Sequence, residues 1–424
     1  MKKYDLITIG GGPAGLMAAG QAASRGLKVI VLEKKHLPAR KLGITGKGRC
    51  NLTNTAPGND FLRSFGKAAK FMRFALGRFD NHDLIAFFNE LGVETVVERG
   101  GRVFPAAQNA QVVVRTLINW AKDQGAVIRT NTAADTIISE KAMVSGVMVK
   151  QSRTAANWGS DQGELLRAHN VLIATGGSSY PATGSTGDGY ALAKDLGHSI
   201  VCVHPALVPL ETGGDVAPKM QGLSLRNVQA DIFVQEKKQA GGFGEMLFTH
   251  FGVSGPIILS LSKTVIQALD QNQQVLLSID LKPGITHAQL KARIARTMHE
   301  QGKKKLVNIL KDFLPLKMIP VFLEKSGLDP EKQGNLLTAE EQRKLRLWCK
   351  ELQLDISGHR PFEEAIITSG GVKLSEVNPK TMESRTLKGL YFAGEVLDID
   401  ADTGGFNLQA AFSTGWVAGN SAGL

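Results

Sequence analysis

The sequence predicts an α/β fold whose parallel sheet is built from both ends of the chain, with a mixed β/α domain inserted between them, and three observations support it. A β-rich run at 4–9 delivers the chain into Gly10-Gly11-Gly12-Pro13-Ala14-Gly15, after which 16–24 reads as a helix and 27–32 as a second apolar strand. A further strand feeding a glycine and carboxylates stands near the other end, in Leu390-Tyr391-Phe392-Ala393-Gly394-Glu395-Val396-Leu397-Asp398. Between them, from about 197 to 357, short β-runs at 228–234 and 274–281 give way to charged-faced helical stretches at 287–310, 315–326 and 339–352. At 424 residues the chain exceeds what one core usually organises. The predicted division is therefore a discontinuous domain, 1–196 plus 358–424, carrying 197–357 as an insert.

The first of these elements, strand then glycine turn then helix, binds an anion by its geometry. Gly10 permits the tight turn, Gly12 lets the backbone approach a pyrophosphate, and Gly15 lets the helix pack on the strand. The helix start, with Pro13 and Ala14 in its first turn, offers amide donors and the positive end of a dipole. Such a pattern is weak alone, but Gly26 ends the helix and Glu33 stands at the end of the second strand, 18 residues after Gly15. A carboxylate there accepts both hydroxyls of an adenosine ribose and repels a 2′-phosphate, which favours FAD or NAD over NADP. Lys34, next in sequence, belongs to the same candidate contact. The arrangement is Rossmann-like.

Composition narrows the class. A hydrophobic content of 43% with 21% charge is that of an ordinary globular protein, and no window approaches the eighteen or so apolar residues of a membrane span. Residues 1–31 have the charge and apolar run of a signal peptide, but glycines interrupt the run and no small-residue cleavage site follows. Cys50, Cys202 and Cys349 are far apart and form no CxxC pair, which argues against a disulfide framework, a zinc site and a dithiol flavoenzyme. A reducing cytoplasm and no metal are expected. The net charge of +11 is spread, with only Lys303, Lys304 and Lys305 in a tight run. Two readings of it stay open, a solvated basic face and an acidic partner such as RNA.

After Glu33 comes a glycine-rich, cationic stretch, 39–54, that reads as a binding loop rather than a core element. In it Arg40, Lys41, Lys47 and Arg49 are candidates to neutralise phosphates, and Gly46 and Gly48 allow the main chain to pass close to a flat ring. This block, Arg40-Lys41-Leu42-Gly43-Ile44-Thr45-Gly46-Lys47-Gly48-Arg49-Cys50-Asn51-Leu52-Thr53-Asn54, together with the first glycine turn and Gly394-Glu395 through Gly404-Gly405-Phe406-Asn407-Leu408-Gln409, resembles the BaiN/YhiN-like flavoproteins. Gly101-Arg102-Val103-Phe104-Pro105 and Phe248-Thr249-His250-Phe251-Gly252-Val253-Ser254-Gly255-Pro256 fit the same family. The likeness spans essentially the whole chain. It implies a two-dinucleotide-binding-type FAD domain, and places Thr45, Cys50 and Asn51 in the cofactor-contacting block.

The same resemblance implies further contacts. β-like runs at 127–138 and 143–149, joined by a turn at Glu140 and Lys141, would pass the adenine, with Ala134 offering backbone hydrogen bonds; a surface hairpin is the other reading. The strand at 170–174, ending in Ala174-Thr175-Gly176, resembles the segment that crosses beneath FAD. Asp398 or Glu395, beside Gly394, would bind the ribityl chain or the phosphate shell. Gly405, Asn407 and Leu408 open a last helix whose start can direct amides and a positive dipole at the flavin pyrimidine edge, where charge accumulates on reduction. The run Gly184-Ser185-Thr186-Gly187-Asp188-Gly189 lacks a leading strand and a following acidic residue, so no dedicated NAD(P)H domain is expected; NAD(P)H would serve only as a transient electron donor.

Flavin carries the redox chemistry, so the protein must position a small-molecule substrate and supply a proton. Cys50 is a candidate for flavin packing or proton donation, and His250, in the insert, for acid/base work or for a structural role in a glycine-rich turn. The leading expectation is reduction of a conjugated carbon–carbon double bond in a cyclic substrate by hydride from flavin N5. Alternatives are reduction of uridine to dihydrouridine in ribosomal RNA, oxidation of an amine or amino ketone, and a non-catalytic flavin-binding protein. Oligomeric state is left open.

Overall fold

A computed structural model describes residues 3–151 and 163–424 and divides the chain into two compact units, 1–205 with 365–424, and 206–364. Residues 197–205 join the first unit because the strand Ile200–Ala206 pairs with Ile367–Val372.

The first unit is organised by a seven-stranded sheet. Strand β1 (Lys3–Ile9) lies between β2 (Val29–Leu32) and Glu164–Ile173, parallel to both. Val127–Arg129 extends the parallel run beyond β2, and Leu390–Phe392 pairs in parallel with the last residues of Glu164–Ile173. These strands are nearly continuous apolar runs, as a sheet covered on both faces requires. The first part of Glu164–Ile173 takes an antiparallel hairpin instead, Met143–Gln151 with Thr132–Glu140. Lys141 and Ala142, both at positive φ, make its turn, the primed geometry that matches strand twist.

Helix α1 (Pro13–Ser24) starts with proline in its first turn and is buried over most of its circumference by alanine, leucine and methionine. It packs against the last helix, Phe406–Ser421, where both are stripped to small residues. A Cβ on Gly415 would lie 2.4 Å from the Ala14 carbonyl oxygen, and one on Gly419 2.4 Å from that of Ala18. Helix–helix spacing follows the side chains at the contact, so these glycines bring the two ends of the chain into backbone contact. The expected loop at 39–54 contains a short broken helix: α2 (Arg40–Gly48) buries Leu42 and loses helical geometry at Thr45, Gly46 and Lys47. Ala39, left-handed, donates its N–H to the Gly11 carbonyl and aims α2 back at the glycine turn.

The second unit is a closed six-stranded barrel, ordered Leu210–Thr212, Gly252–Ser254, Lys237–Phe248, Ser224–Val234, Val275–Asp280 and Leu352–His359. Its helices Pro256–Leu269, His287–Glu300, Met318–Ser326 and Ala339–Lys350 complete a separate core around Phe248, Phe313 and Phe322. Thr286 and Thr338 cap two of them in reciprocal capping boxes.

Candidate functional site

Ligands of open α/β sheets bind beyond the carboxyl ends of the strands, and four parallel strands here end at one place. Gly10 follows β1, Glu33 follows β2, Ala174-Thr175 follows Glu164–Ile173, and Ala393-Gly394 follows Leu390–Phe392. Gly10, at φ +104, lies so close to the Ala174 carbonyl that a Cβ would sit 2.5 Å from its oxygen, and one on Gly15 would sit 2.0 Å from the Gly10 oxygen. A Cβ on Gly12 would meet nothing within 4 Å. Two glycines are thus needed by packing, and the third faces open space. There the first-turn amides of α1 have no intrahelical acceptors and Gly12 provides no side-chain cap.

That space is a groove of about 680 Å³, solvent at its mouth included. Of the candidate residues, Gly10, Gly12, Pro13, Glu33, Lys34, Arg40, Lys41, Ala134 and Thr175 line it, while Ala14, Gly15 and Ala174 form the packed floor behind. Sequence reading missed Thr132, Ala133 and Thr183, and it set aside as a nucleotide loop the 184–189 run, which supplies Gly184, Ser185 and Asp188 to the same groove. Glu33 is fixed at the groove end by accepting from the Gly11 and Lys35 amides at 3.0 and 2.7 Å. Burial raises its pKa and outweighs those two hydrogen bonds. Each carboxylate oxygen keeps a lone pair for a further donor.

The cationic block and the C-terminal glycines also converge. Gly405, at φ +104, sits on the Thr53 backbone, a Cβ there being 2.4 Å from the Thr53 oxygen. Asn54 Nδ2 donates to the carbonyls of Gly404 and Gly100 at 3.1 and 2.9 Å. Asn407 closes the loop before the last helix through the backbone of Ala401 and Asp402, leaving Leu408 in the first turn. Asn51 Oδ1 is buried without a hydrogen-bond partner, an acceptor awaiting a donor. A linear dinucleotide fits these residues: a carboxylate for a ribose, an open amide turn for a pyrophosphate, and an uncapped helix start beside a kinked glycine-rich helix.

Several expected roles change. Lys41 does not stand open to a phosphate: its Nζ donates to Glu395 Oε2 at 2.8 Å and to Ser179 Oγ at 2.5 Å. The other Glu395 oxygen accepts from the Thr368 amide and from Ser179 Oγ. Glu395 is thereby bound by protein donors, because its neighbours on three other segments are all donors. Arg49 pairs with Glu98 at 2.8 Å and stacks on Phe104, so its charge is turned from Cys50. Cys50 is fully buried beside Thr45, and loss of hydration pushes its thiol up to about 12. Gly46 and Lys47 make the α2 kink with Gly48 just beyond. Gly176 turns the chain at φ +75, and the Asp398 amide donates to the Val372 carbonyl.

His250 belongs to the other unit. It is exposed at the tip of a turn closed by hydrogen bonds between Thr249 and Gly252, its ring edge-on to Phe251 at 4.9 Å. Arg360 lies over the Phe251 ring at 4.6 Å and pairs with Glu211 and Glu364 at 2.8 and 2.6 Å. Among the described residues no cluster of metal-binding side chains occurs, and no helix is long and apolar enough to cross a membrane.

Residues 4–421 match the family described as HI0933-like protein Rossmann domain. The chain is 31% identical over 416 residues, 98% of each protein, to the 3-dehydro-bile acid delta(4,6)-reductase of Clostridium scindens. It is 27% identical to the ribosomal RNA dihydrouridine synthase of Escherichia coli, over 98% of this chain and 97% of that one. In fold it is similar to the 3-ketosteroid delta1-dehydrogenase of Sterolibacterium denitrificans, with a TM-score of 0.55 at 13% identity over 99% of both chains. The chain belongs to the HI0933-like family and is an FAD-dependent oxidoreductase.

Proposed function

We propose that this enzyme reduces a carbon–carbon double bond conjugated to a carbonyl in a cyclic small molecule. The observation that carries the proposal is end-to-end likeness to a bile acid delta(4,6)-reductase, and the uridine-reducing relative acts on the same class of bond. FAD supplies the hydride from N5, and a transient NAD(P)H donor replenishes it. Glu33 accepts the ribose hydroxyls, and the α1 amides at Gly12 hold the pyrophosphate. The positive end of the last helix, at Gly405, favours the negative charge that reduction brings. Lys41 and Glu395 act as a neutral pair that holds four chain segments in place. The barrel unit serves as the substrate domain, with His250 donating the proton; Cys50, a buried protonated thiol, packs rather than titrates.

Purified protein is expected to be yellow and to release FAD on denaturation. After anaerobic reduction, an α,β-unsaturated ring ketone such as 4-androstene-3,17-dione is expected to restore the oxidised flavin spectrum, and His250→Ala to slow that step. Reduced enzyme that no conjugated ring ketone reoxidises would end this reading. The uridine reading is favoured by the net charge of +11 and the second relative. Lys219 pairs with Asp215 and Glu324, and Lys305 with Glu331, so these lysines are engaged by protein carboxylates while the net excess is unchanged. Binding to ribosomal RNA that falls steeply between about 50 and 200 mM salt, with restored flavin absorbance, would select it.

A further inference from the structure

Asp188 and Thr186 lie in the segment that sequence reading set aside, and they meet Lys34 at the groove from more than 150 residues away. Lys34 Nζ donates to Asp188 Oδ2 at 2.5 Å and to Thr186 Oγ1, and the Thr186 hydroxyl donates in turn to Asp188 Oδ1. The three groups satisfy one another in a ring. Both sides of this ring belong to the groove lining: Lys34 with Glu33, and Asp188 with Thr183, Gly184 and Ser185.

The segment is built as a closed loop. Gly187 donates its amide to the Gly177 carbonyl at 3.1 Å, so the loop returns to its own base. Gly176 and Gly187, both at positive φ, stand at its two ends, where backbone rotation is least restricted. At its crown Gly184, at φ +119, has the stems of Lys35 and Lys34 within about 4 Å of where a Cβ would be. Burial raises the Asp188 carboxyl, but the hydrogen bonds from Lys34 and Thr186 outweigh it and hold it below the usual range. Asp188 is therefore ionised at neutral pH. Charge matters here for a second reason: Lys34 adjoins the carboxylate that reads a ribose, where a free ammonium would attract a 2′-phosphate.

We propose that the Lys34–Asp188–Thr186 ring latches the 177–187 loop across the adenosine end of the groove, retaining FAD, and cancels the charge of Lys34 so that 2′-phosphorylated nucleotides are not recruited. This rests on the reading of the groove as the adenosine end. The latch is half exposed, with side-chain exposures of 25% for Lys34 and 47% for Asp188, so its effect is a tuning of release rather than a requirement for binding.

The test is the rate at which FAD leaves the holoenzyme, measured as flavin passing an ultrafiltration membrane after dilution, with 2′,5′-ADP and 5′-ADP binding to the flavin-free full chain as a second readout. Asp188→Asn is expected to release FAD about two- to fivefold faster, to show less acceleration of release by added salt than wild type, and to bind 2′,5′-ADP better relative to 5′-ADP. Asp188→Glu is expected to restore slow release, and Thr186→Val to fall between. Glu33→Gln serves as the control for the groove. If Glu33→Gln speeds release while Asp188→Asn and Thr186→Val leave both readouts at wild-type values, the latch is refuted and the groove reading stands. If Glu33→Gln also changes nothing, the groove reading falls and the latch with it.

Discussion

Cys50 shows how a residue's neighbours in sequence mislead about its chemistry. Between Arg49 and Asn51 it looks like a thiol activated by positive charge, yet the guanidinium leaves for Glu98 and the sulfur is sealed from water. Cys349 is likewise buried and pushed up to about 12, whereas Cys202 is exposed. A thiol reacts as its thiolate, so at pH 8 a disulfide reagent is expected to modify Cys202 quickly and the other two only after denaturation. Rapid loss of a second thiol in the native holoenzyme would contradict the burial. Glu33 gives the pH counterpart. Its folded pKa is raised, so its contribution to folding is present below the unfolded value and lost as pH rises through the folded one, while the ribose binding proposed for it needs the ionised form. FAD affinity is therefore expected to fall, on acidification, from a pH above the ordinary glutamate value of 4.5. Titration of affinity in wild type and Glu33→Gln checks this, the variant being weak and flat across that range.

Elements were legible in proportion to how local their causes are. The turn from β1 into α1 announces itself within six residues, because tight turning, backbone approach and helix packing each demand glycine at a fixed offset. The 39–54 block does not, since the helix within it depends on Ala39 bonding to the Gly11 carbonyl, a contact that composition cannot signal. Nor was the 177–187 loop recognisable, because its part in the groove depends on tertiary return rather than on a strand leading into it. The pairing of Lys41 with Glu395, 354 residues apart, left no local trace. The contact between α1 and the last helix joins the two halves of the proposed cofactor site. Gly415→Ala puts a methyl 2.4 Å from a main-chain oxygen that cannot rotate away, so the helices must separate, at a cost of about 1–3 kcal/mol. A lower Tm is expected together with weaker FAD retention, read by thermal unfolding and flavin release. A lower Tm with unchanged retention would mean that the helix contact does not set the site.

At the scale of the molecule, the change of character after about residue 197 revealed an insertion but not its form. The barrel closes through Leu210–Thr212 pairing with Leu352–His359, strands some 140 residues apart that carry no shared local pattern. The same pairing brings the entry and exit of the insert side by side, where the Arg360 amide donates to the Pro209 carbonyl at 3.0 Å. In the other unit the flanking strands Ile200–Ala206 and Ile367–Val372 are themselves paired, so both stumps end together. Each unit has its own apolar core, which is the physical requirement for folding alone. Residues 206–364, expressed by themselves, are therefore expected to unfold in one cooperative thermal transition. Residues 1–205 joined to 365–424 by a short glycine–serine linker are expected to bind FAD while losing the ability to be reoxidised by a conjugated ring ketone. That separation of binding from turnover is what the substrate-bearing role proposed for the insert entails. If the shortened protein kept full turnover, the insert would have no catalytic part and His250 would lose its assigned role, whereas failure of 206–364 to fold would instead mean that its barrel depends on the flavin-binding unit.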